Sequence, residues 1–135
     1  MQKIDVHKGW VWSLSHNTAG KVVSCGWDNM IYAWSLRESE MVQDLSINCK
    51  TAVLCSTFVD TIVSVGSFDR KVKTFDLRLP GGKPVELYGH HKMPVLSVVT
   101  PRNHPHLLLT ASEDGGLFSI DRYTTLKQCL ISIHF

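Results

Sequence analysis

The chain has 135 residues, which is enough for one modest domain with a buried core. A hydrophobic fraction of 44% and a charged fraction of 19% are typical of globular proteins and exclude a disordered chain. The net charge of +2, with both signs scattered along the sequence, gives no electrostatic reason to expect binding to nucleic acid or to a membrane.

The first predicted elements are short strands joined by tight turns. Segments rich in Val, Leu, Ser and Thr predict strands at Trp10–His16, Lys21–Cys25, Ile31–Ser35 and Met41–Ile47. The turn before the third strand holds Asp28 and Asn29, residue types that cap the backbone or tolerate positive φ.

The same plan recurs twice further along the chain. A second set of strands is predicted at Thr51–Phe58, Thr61–Gly66, Val72–Asp76 and Val85–Tyr88. A third set is predicted at Pro94–Thr100, Leu107–Ala111, Leu117–Asp121 and Leu126–Ile133. Since no segment has helical periodicity over a useful length, the predicted fold class is all-β.

One spacing marks each of the three sets. An aspartate lies six residues before a large apolar residue in the pairs Asp28/Trp34, Asp69/Phe75 and Asp114/Ile120. About twenty residues upstream of each aspartate, a histidine or cysteine lies four residues before a valine, at His7, Cys49 and His91. The chain therefore divides into repeat units of residues 7–48, 49–90 and 91–135. A catalytic aspartate does not need three evenly spaced copies, whereas a structural unit does.

Four strands in each unit, with a histidine before the first strand and an Asp-x5-Trp spacing into the third, resemble the blades of a WD40 β-propeller. The resemblance implies about three four-stranded antiparallel blades. A propeller ring needs at least four blades, so three would not close a ring and would expose apolar blade faces. We therefore expect a piece of a longer propeller, with pairing to another copy or another chain as the alternative.

The resemblance also implies a hydrogen-bonded tetrad of Asp, His, Ser or Thr, and Trp that holds each blade together. The first unit carries all four members, and the third lacks only the indole, since Ile120 stands in its place. The implied members are His7, Ser24, Asp28, Trp34, Asp69, Phe75, His91, Thr110 and Asp114. The second unit keeps only Asp69, so we expect its tetrad to be weak. His7, Ser24 and Asp28 also compose a hydrolytic triad, but the repetition favours the structural role.

In WD40 rings the residue before each aspartate frequently contacts a partner. The corresponding residues are Trp27, Phe68 and Glu113, with Arg70 on the same rim. Exposed aromatic side chains suit a peptide-binding surface, and a cationic rim favours acidic or phosphorylated peptides. The alternative is that the aromatic rings pack against neighbouring loops and the charges are ordinary surface. Trp10 and Trp12 are expected in the blade core or between blades.

Short motifs within these units, Ser67–Arg78 and Ser112–Arg122, resemble the F-box/WD-repeat proteins. That resemblance implies a protein–protein interaction module that selects substrates for a ubiquitin ligase. Since the first unit starts at His7, we expect no F-box and no recruitment of the ligase. Scaffold blades of another multiprotein complex are the alternative, and a serine hydrolase is a remote one.

The remaining features predict an intracellular protein without a cofactor. The N-terminus lacks the apolar run of a signal peptide, and no apolar segment approaches transmembrane length. The four cysteines show no Cys-x-x-Cys spacing, which favours reduced thiols over zinc ligation or disulfides. His104 and His106 have no carboxylate or cysteine nearby in sequence, so they predict a loop rather than a metal site. We expect a cytoplasmic or nuclear location.

Overall fold

The computed structural model describes residues 1–79 and 81–123, together with the backbone of a strand at residues 129–134. Every regular element in these residues is a β-strand, which confirms the all-β prediction. The strands are β1 (Val11–His16), β2 (Lys21–Gly26), β3 (Met30–Arg37), β4 (Glu40–Asn48), β5 (Val53–Val59), β6 (Ile62–Ser67), β7 (Val72–Asp76), β8 (Glu86–Tyr88), β9 (Val95–Val99), β10 (Leu107–Ser112), β11 (Gly116–Asp121) and β12 (Cys129–His134).

The strands form three separate antiparallel sheets of four strands each. Their orders are β1-β2-β3-β4, β5-β6-β7-β8 and β12-β11-β10-β9, so each sheet is a meander of sequential hairpins. We call these sheets blade 1, blade 2 and blade 3. Within the described residues the three blades do not close into a ring, which is consistent with the predicted partial WD40 propeller. The start of the predicted last strand, residues 126–128, lies outside the described residues.

The turn between the second and third strands of each blade is built in the same way. The aspartate of the turn accepts a hydrogen bond from the backbone N–H two residues later, over 3.2 Å in blade 1, 3.3 Å in blade 2 and 2.6 Å in blade 3. The residue between them has positive φ, as seen at Asn29, Arg70 and Gly115. This turn explains why an aspartate recurs in all three units.

The first strand of each blade contains a β-bulge near its start. The pairing register shifts between Val11 and Ser13 in β1 and between Val53 and Cys55 in β5. In β9 the register shifts between Val95, which pairs with Ser112, and Ser97, which pairs with Ala111. The extra residue at each bulge lies outside the regular alternation of the strand. The three bulged residues are Trp12, Leu54 and Leu96.

The core lies between neighbouring blades. One buried cluster joins blade 1 to blade 2 and includes Val23, Ile31 and Val53, and a second joins blade 2 to blade 3. Gly66 on β6 permits the second contact, because a Cβ there would come within 2.6 Å of Val95 Cγ1. Within the described part of the chain, no helix has the length and apolarity needed to cross a membrane.

Candidate functional site

The fold of blade 1 brings together four side chains, those of His7, Ser24, Asp28 and Trp34. His7 Nδ1 lies 3.0 Å from the Asp28 carboxylate, and His7 Nε2 lies 2.8 Å from Ser24 Oγ. The Trp34 indole N–H donates to the same Ser24 oxygen over 2.9 Å. Because an indole can only donate, Ser24 is left to donate its hydrogen to His7 Nε2, and His7 Nδ1–H donates to Asp28. The four side chains form one continuous hydrogen-bonded chain.

Asp28 ties this tetrad to the backbone on two sides. Its carboxylate accepts hydrogen bonds from the Lys8 N–H at 2.9 Å and the Met30 N–H at 3.2 Å. Burial acts to raise the pKa of Asp28, but the hydrogen bonds from Lys8, His7 and Met30 outweigh it, so that pKa lies below its ordinary value. The carboxylate therefore joins the segment before β1 to the turn between β2 and β3.

The surroundings of Ser24 favour a structural role over nucleophilic catalysis. Ser24 is 5% exposed in the middle of β2, and its oxygen already accepts the indole N–H. A cavity of about 230 Å³ reaches Ser24 and His7, and its walls include Val11 and Leu14 on β1. A nucleophile needs a base and also access for a substrate. This cavity is an apolar opening on the uncovered face of blade 1, and the equivalent faces of blades 2 and 3 are each covered by the preceding blade. The opening therefore reflects the uncovered face rather than a substrate pocket.

Blade 3 repeats most of the tetrad. His91 Nε2 lies 2.8 Å from Thr110 Oγ1, and His91 Nδ1 lies 3.4 Å from Asp114, which also accepts the Lys92 N–H at 2.7 Å. Ile120 is buried in the place of the indole. Burial lowers the pKa of His91, partly opposed by the Asp114 carboxylate. Burial acts to raise the pKa of Asp114, and the hydrogen bonds from Lys92, Gly116 and His91 outweigh it, so that pKa is lowered.

Blade 2 uses a lysine where the other blades use a histidine. Lys73 Nζ lies 3.0 Å from Asp69 Oδ2 and donates to the Cys49 carbonyl over 3.2 Å. Lys73 stands four residues after its aspartate, where blades 1 and 3 carry Tyr32 and Phe118 with their rings edge-on to the histidine. Phe75 packs in the core without a donor. Sequence reasoning missed this replacement, although a lysine at an otherwise aromatic position next to a lost histidine was its signal.

A second site lies on the rim, where a cavity of about 310 Å³ is open to solvent. All three blades contribute two equivalent residues each: the bulged residue of the first strand and the residue before the aspartate. The rim cavity is lined by Trp12, Trp27, Leu54, Phe68, Leu96 and Glu113. The structure thus brings the three predicted rim residues together. Arg70 lies on the adjacent turn with positive φ and is not among the lining residues.

Aromatic rings form a continuous surface beside and within the rim cavity. Ring centroids are 5.8 Å apart for Trp10 and Trp12, 6.5 Å for Trp12 and Trp27, and 5.5 Å for Trp27 and Phe68. Trp10 is 73% exposed and Trp12 is 49% exposed, so the expectation that they lie in the core is wrong. Trp12 is the bulged residue of β1, so its side chain lies outside the regular alternation of the strand.

The described residues contain no group of three or more His, Cys, Asp or Glu side chains placed to hold a metal ion. The rings of His104 and His106 are 5.7 Å apart, and His106 stacks on Tyr123 at 5.4 Å. The two histidines therefore belong to an aromatic contact in the loop between β9 and β10.

Comparisons with known proteins agree with this architecture. Residues 1–35 match the family model described as WD domain, G-beta repeat. The chain is similar to F-box/WD repeat-containing protein 9 of Homo sapiens, with 32% identity over 86% of the chain and 24% of that protein, and of Bos taurus, with 33% identity over 90% and 25%. It is also similar to Protein ALTERED SEED GERMINATION 2 of Arabidopsis thaliana, with 26% identity over 86% and 17%. The chain spans a quarter or less of the length of these curated relatives.

Proposed function

We propose that this chain, whose three blades resemble part of a WD40 propeller, acts as a protein–protein interaction module and binds a peptide in the rim cavity. The continuous, exposed aromatic surface of Trp12, Trp27 and Phe68 carries this proposal. Tryptophan concentrates binding energy at protein interfaces because it buries a large apolar area with little loss of side-chain freedom.

The chemistry of the rim suggests what kind of peptide binds. Its cavity offers apolar walls for one or two large side chains of the partner. Four exposed cations lie on the rim loops and, within the described residues, take part in no ion pair: Lys8, Lys50, Arg70 and Lys92. We infer a peptide with an apolar anchor flanked by acidic or phosphorylated residues.

We further propose that the partner is a substrate of an F-box-type ubiquitin ligase, in which this chain contributes substrate recognition. The similarity to F-box/WD repeat-containing protein 9 over most of the chain supports this setting. Scaffold blades of another multiprotein complex are the second candidate.

We also propose a cytoplasmic or nuclear location. The thiols of Cys25, Cys49 and Cys55 are free and buried, and burial raises their pKa values to about 12, 11 and 12. Free thiols support a reducing compartment.

We also propose that the chain is not an enzyme. The low exposure of Ser24 and its bond from Trp34 support this, since the oxygen is held inside the blade. A serine-reactive phosphonate should leave Ser24 unmodified, as read by mass spectrometry of the intact folded chain. Stoichiometric labelling of Ser24 would instead establish the hydrolase alternative.

Selection of peptides from a random display library on the whole chain tests the rim cavity. We expect peptides with a large apolar anchor, and the variant Trp27→Ala/Phe68→Ala should bind them at least about tenfold more weakly. The control Tyr123→Ala removes an aromatic ring that is 73% exposed outside the cavity, and it should bind like the parent chain. Equal binding by the double variant would contradict the proposal.

Affinity capture from cells separates the two cellular settings. If the partner is a ligase substrate, proteins captured by the chain and lost in Trp27→Ala/Phe68→Ala should carry ubiquitin and accumulate when the proteasome is inhibited. Captured partners whose level and ubiquitination are unchanged by that inhibition would favour the scaffold alternative.

A further inference from the structure

A cavity of about 580 Å³ lies between blade 1 and blade 2, outside the rim cavity. Its walls come from three places: the end of β4 with the residues after it, the strand β7 with the turn before it, and the segment 81–87 that leads into β8. This volume is typical of pockets that bind small molecules. We call it the lysine cavity, because Lys50, Lys71, Lys73 and Lys83 all line it.

The lysine cavity exists because the outer strand of blade 2 is short. β8 has three residues, whereas the equivalent strand β4 of blade 1 has nine. Before β8, Gly81 and Gly82 have φ values of 93° and 61°, a conformation that residues with side chains rarely adopt. Gly82 faces blade 1, since a Cβ on it would lie 3.4 Å from Ile47 Cγ2. The segment before β8 thus lies beside blade 1 and forms one wall of the cavity.

The charge of the lysine cavity is one-sided. Its lining contains four lysines and, among the described residues, no aspartate or glutamate. Lys73 is engaged by Asp69, but Lys50, Lys71 and Lys83 are exposed and form no ion pair in the part of the chain that the structure describes. Like charges around a concave surface reinforce one another and attract an anion.

The floor of the lysine cavity is apolar. Ile47 and Phe75 are buried beneath it, and Leu87 forms part of one wall with 54% of its surface exposed. An inorganic anion would use only the lysines and leave this surface in contact with water. A ligand with both a polyanionic end and an apolar or planar body would use both.

We propose that the lysine cavity binds a small organic phosphate, with its phosphate groups on Lys50, Lys71 and Lys83 and its apolar body against Leu87. The site uses none of the residues that line the rim cavity, and Lys50 is the one residue that it shares with the cations of the rim loops. Enclosure by three walls favours a small molecule over a macromolecule, because a large partner would contact only the mouth.

Calorimetric titration of the whole chain with two probes tests this site. Inorganic tripolyphosphate reports on the lysines alone, and ATP adds a planar body to the same triphosphate group. We expect ATP to bind more tightly than tripolyphosphate, and both to bind more weakly as salt is raised. Lys50→Gln/Lys71→Gln/Lys83→Gln should weaken both probes at least tenfold, whereas Leu87→Ala should weaken ATP and leave tripolyphosphate unchanged.

A matched control separates a site from general attraction to positive charge. Lys8→Gln/Arg70→Gln/Lys92→Gln removes the same number of exposed charges from the rim and should leave both affinities unchanged. Equal losses in the two triple variants would overturn the proposal, as would the absence of binding at millimolar probe. Binding of a phosphopeptide together with failure of both small probes would also overturn it. Circular dichroism of each variant at the titration temperature verifies that the fold is kept.

Discussion

At the scale of single residues, the aspartate of each turn has two tasks. Its carboxylate closes the turn by accepting a backbone N–H, and it also receives a cationic or histidine side chain from the same blade. The partner changes from His7 to Lys73 to His91, while the aspartate stays. The aspartate is present in every blade because the backbone N–H of the turn always needs an acceptor, whichever side chain makes the second contact with the carboxylate.

The buried histidine of blade 3 predicts a pH-dependent stability. Because the folded chain holds the pKa of His91 below its ordinary value, both states are neutral at this residue above about pH 6.5, where its contribution is complete. As pH falls below that point, the unfolded chain takes up a proton that the folded chain resists, and stability is lost. Thermal unfolding followed by circular dichroism should give a lower Tm at pH 5.5 than at pH 7.5.

Two variants assign this effect to His91. His91→Gln should lower Tm at pH 7.5, because Thr110 and Asp114 lose their partner, and it should also reduce the difference in Tm between the two pH values. His104→Gln, which changes an exposed ring in a loop, should keep the full difference. An undiminished difference in His91→Gln would contradict the assignment.

At the scale of the blade, one plan of strands carries three different sets of polar contacts. Blade 1 has histidine, serine and indole, blade 3 lacks the indole, and blade 2 uses a lysine ammonium. The expectation of a weak second tetrad rested on the loss of histidine at Cys49. In the structure Lys73, whose side chain is 11% exposed, bridges Asp69 and the Cys49 carbonyl.

Exchange of the blade 2 residues for those of blade 1 tests whether Lys73 replaces the histidine. Lys73→Tyr should reduce the free energy of unfolding by about 1–3 kcal/mol, because Asp69 and the Cys49 carbonyl lose a charged donor. Cys49→His should also destabilise, since the ring must compete with Lys73 for Asp69. Cys49→His/Lys73→Tyr should recover part of the loss, with a coupling of about 0.5–3 kcal/mol in denaturant unfolding.

Lys71→Tyr is the matched control for that exchange. It alters an exposed lysine two residues away and should change stability by about 0.5 kcal/mol or less. Strict additivity of the two single changes would show that Lys73 and Cys49 do not share one contact network.

Most of the strands were predictable because each blade repeats the same order of apolar runs and turn residues. The twelve predicted strands correspond to β1–β12, and Trp27, Phe68 and Glu113 meet on one rim. Trp12 was placed wrongly because a bulge breaks the alternation on which such predictions depend. Lys73 was missed because a lysine is normally a surface residue, and its burial depends on a carboxylate that only the folded blade brings near.

At the scale of the whole molecule, equivalent residues report which blade faces are covered. Val53 and Val95 are fully buried by the preceding blade, whereas Val11, at the same position in blade 1, is 52% exposed. Leu14 lies on the same side and is 68% exposed, while Ser13 and Ser15 turn the other way and contact Ser56 of blade 2. This free face of blade 1 is partly overlaid by the N-terminal segment, where Gln2 and Met41 exchange hydrogen bonds of 3.0 and 3.4 Å.

The free face of blade 1 predicts that the chain associates through it. Covering Leu14 and Val11 removes apolar surface from water, as the preceding blade does for Val53 and Val95, so we expect sedimentation velocity to show association that increases with concentration. Leu14→Lys should weaken that association at least about fivefold, because a charge would be buried in the contact. Tyr123→Lys is the matched control, since Tyr123 is 73% exposed after β11 in blade 3, and it should associate like the parent chain. A monomer at all concentrations, or equal weakening in both variants, would show that association does not use this face.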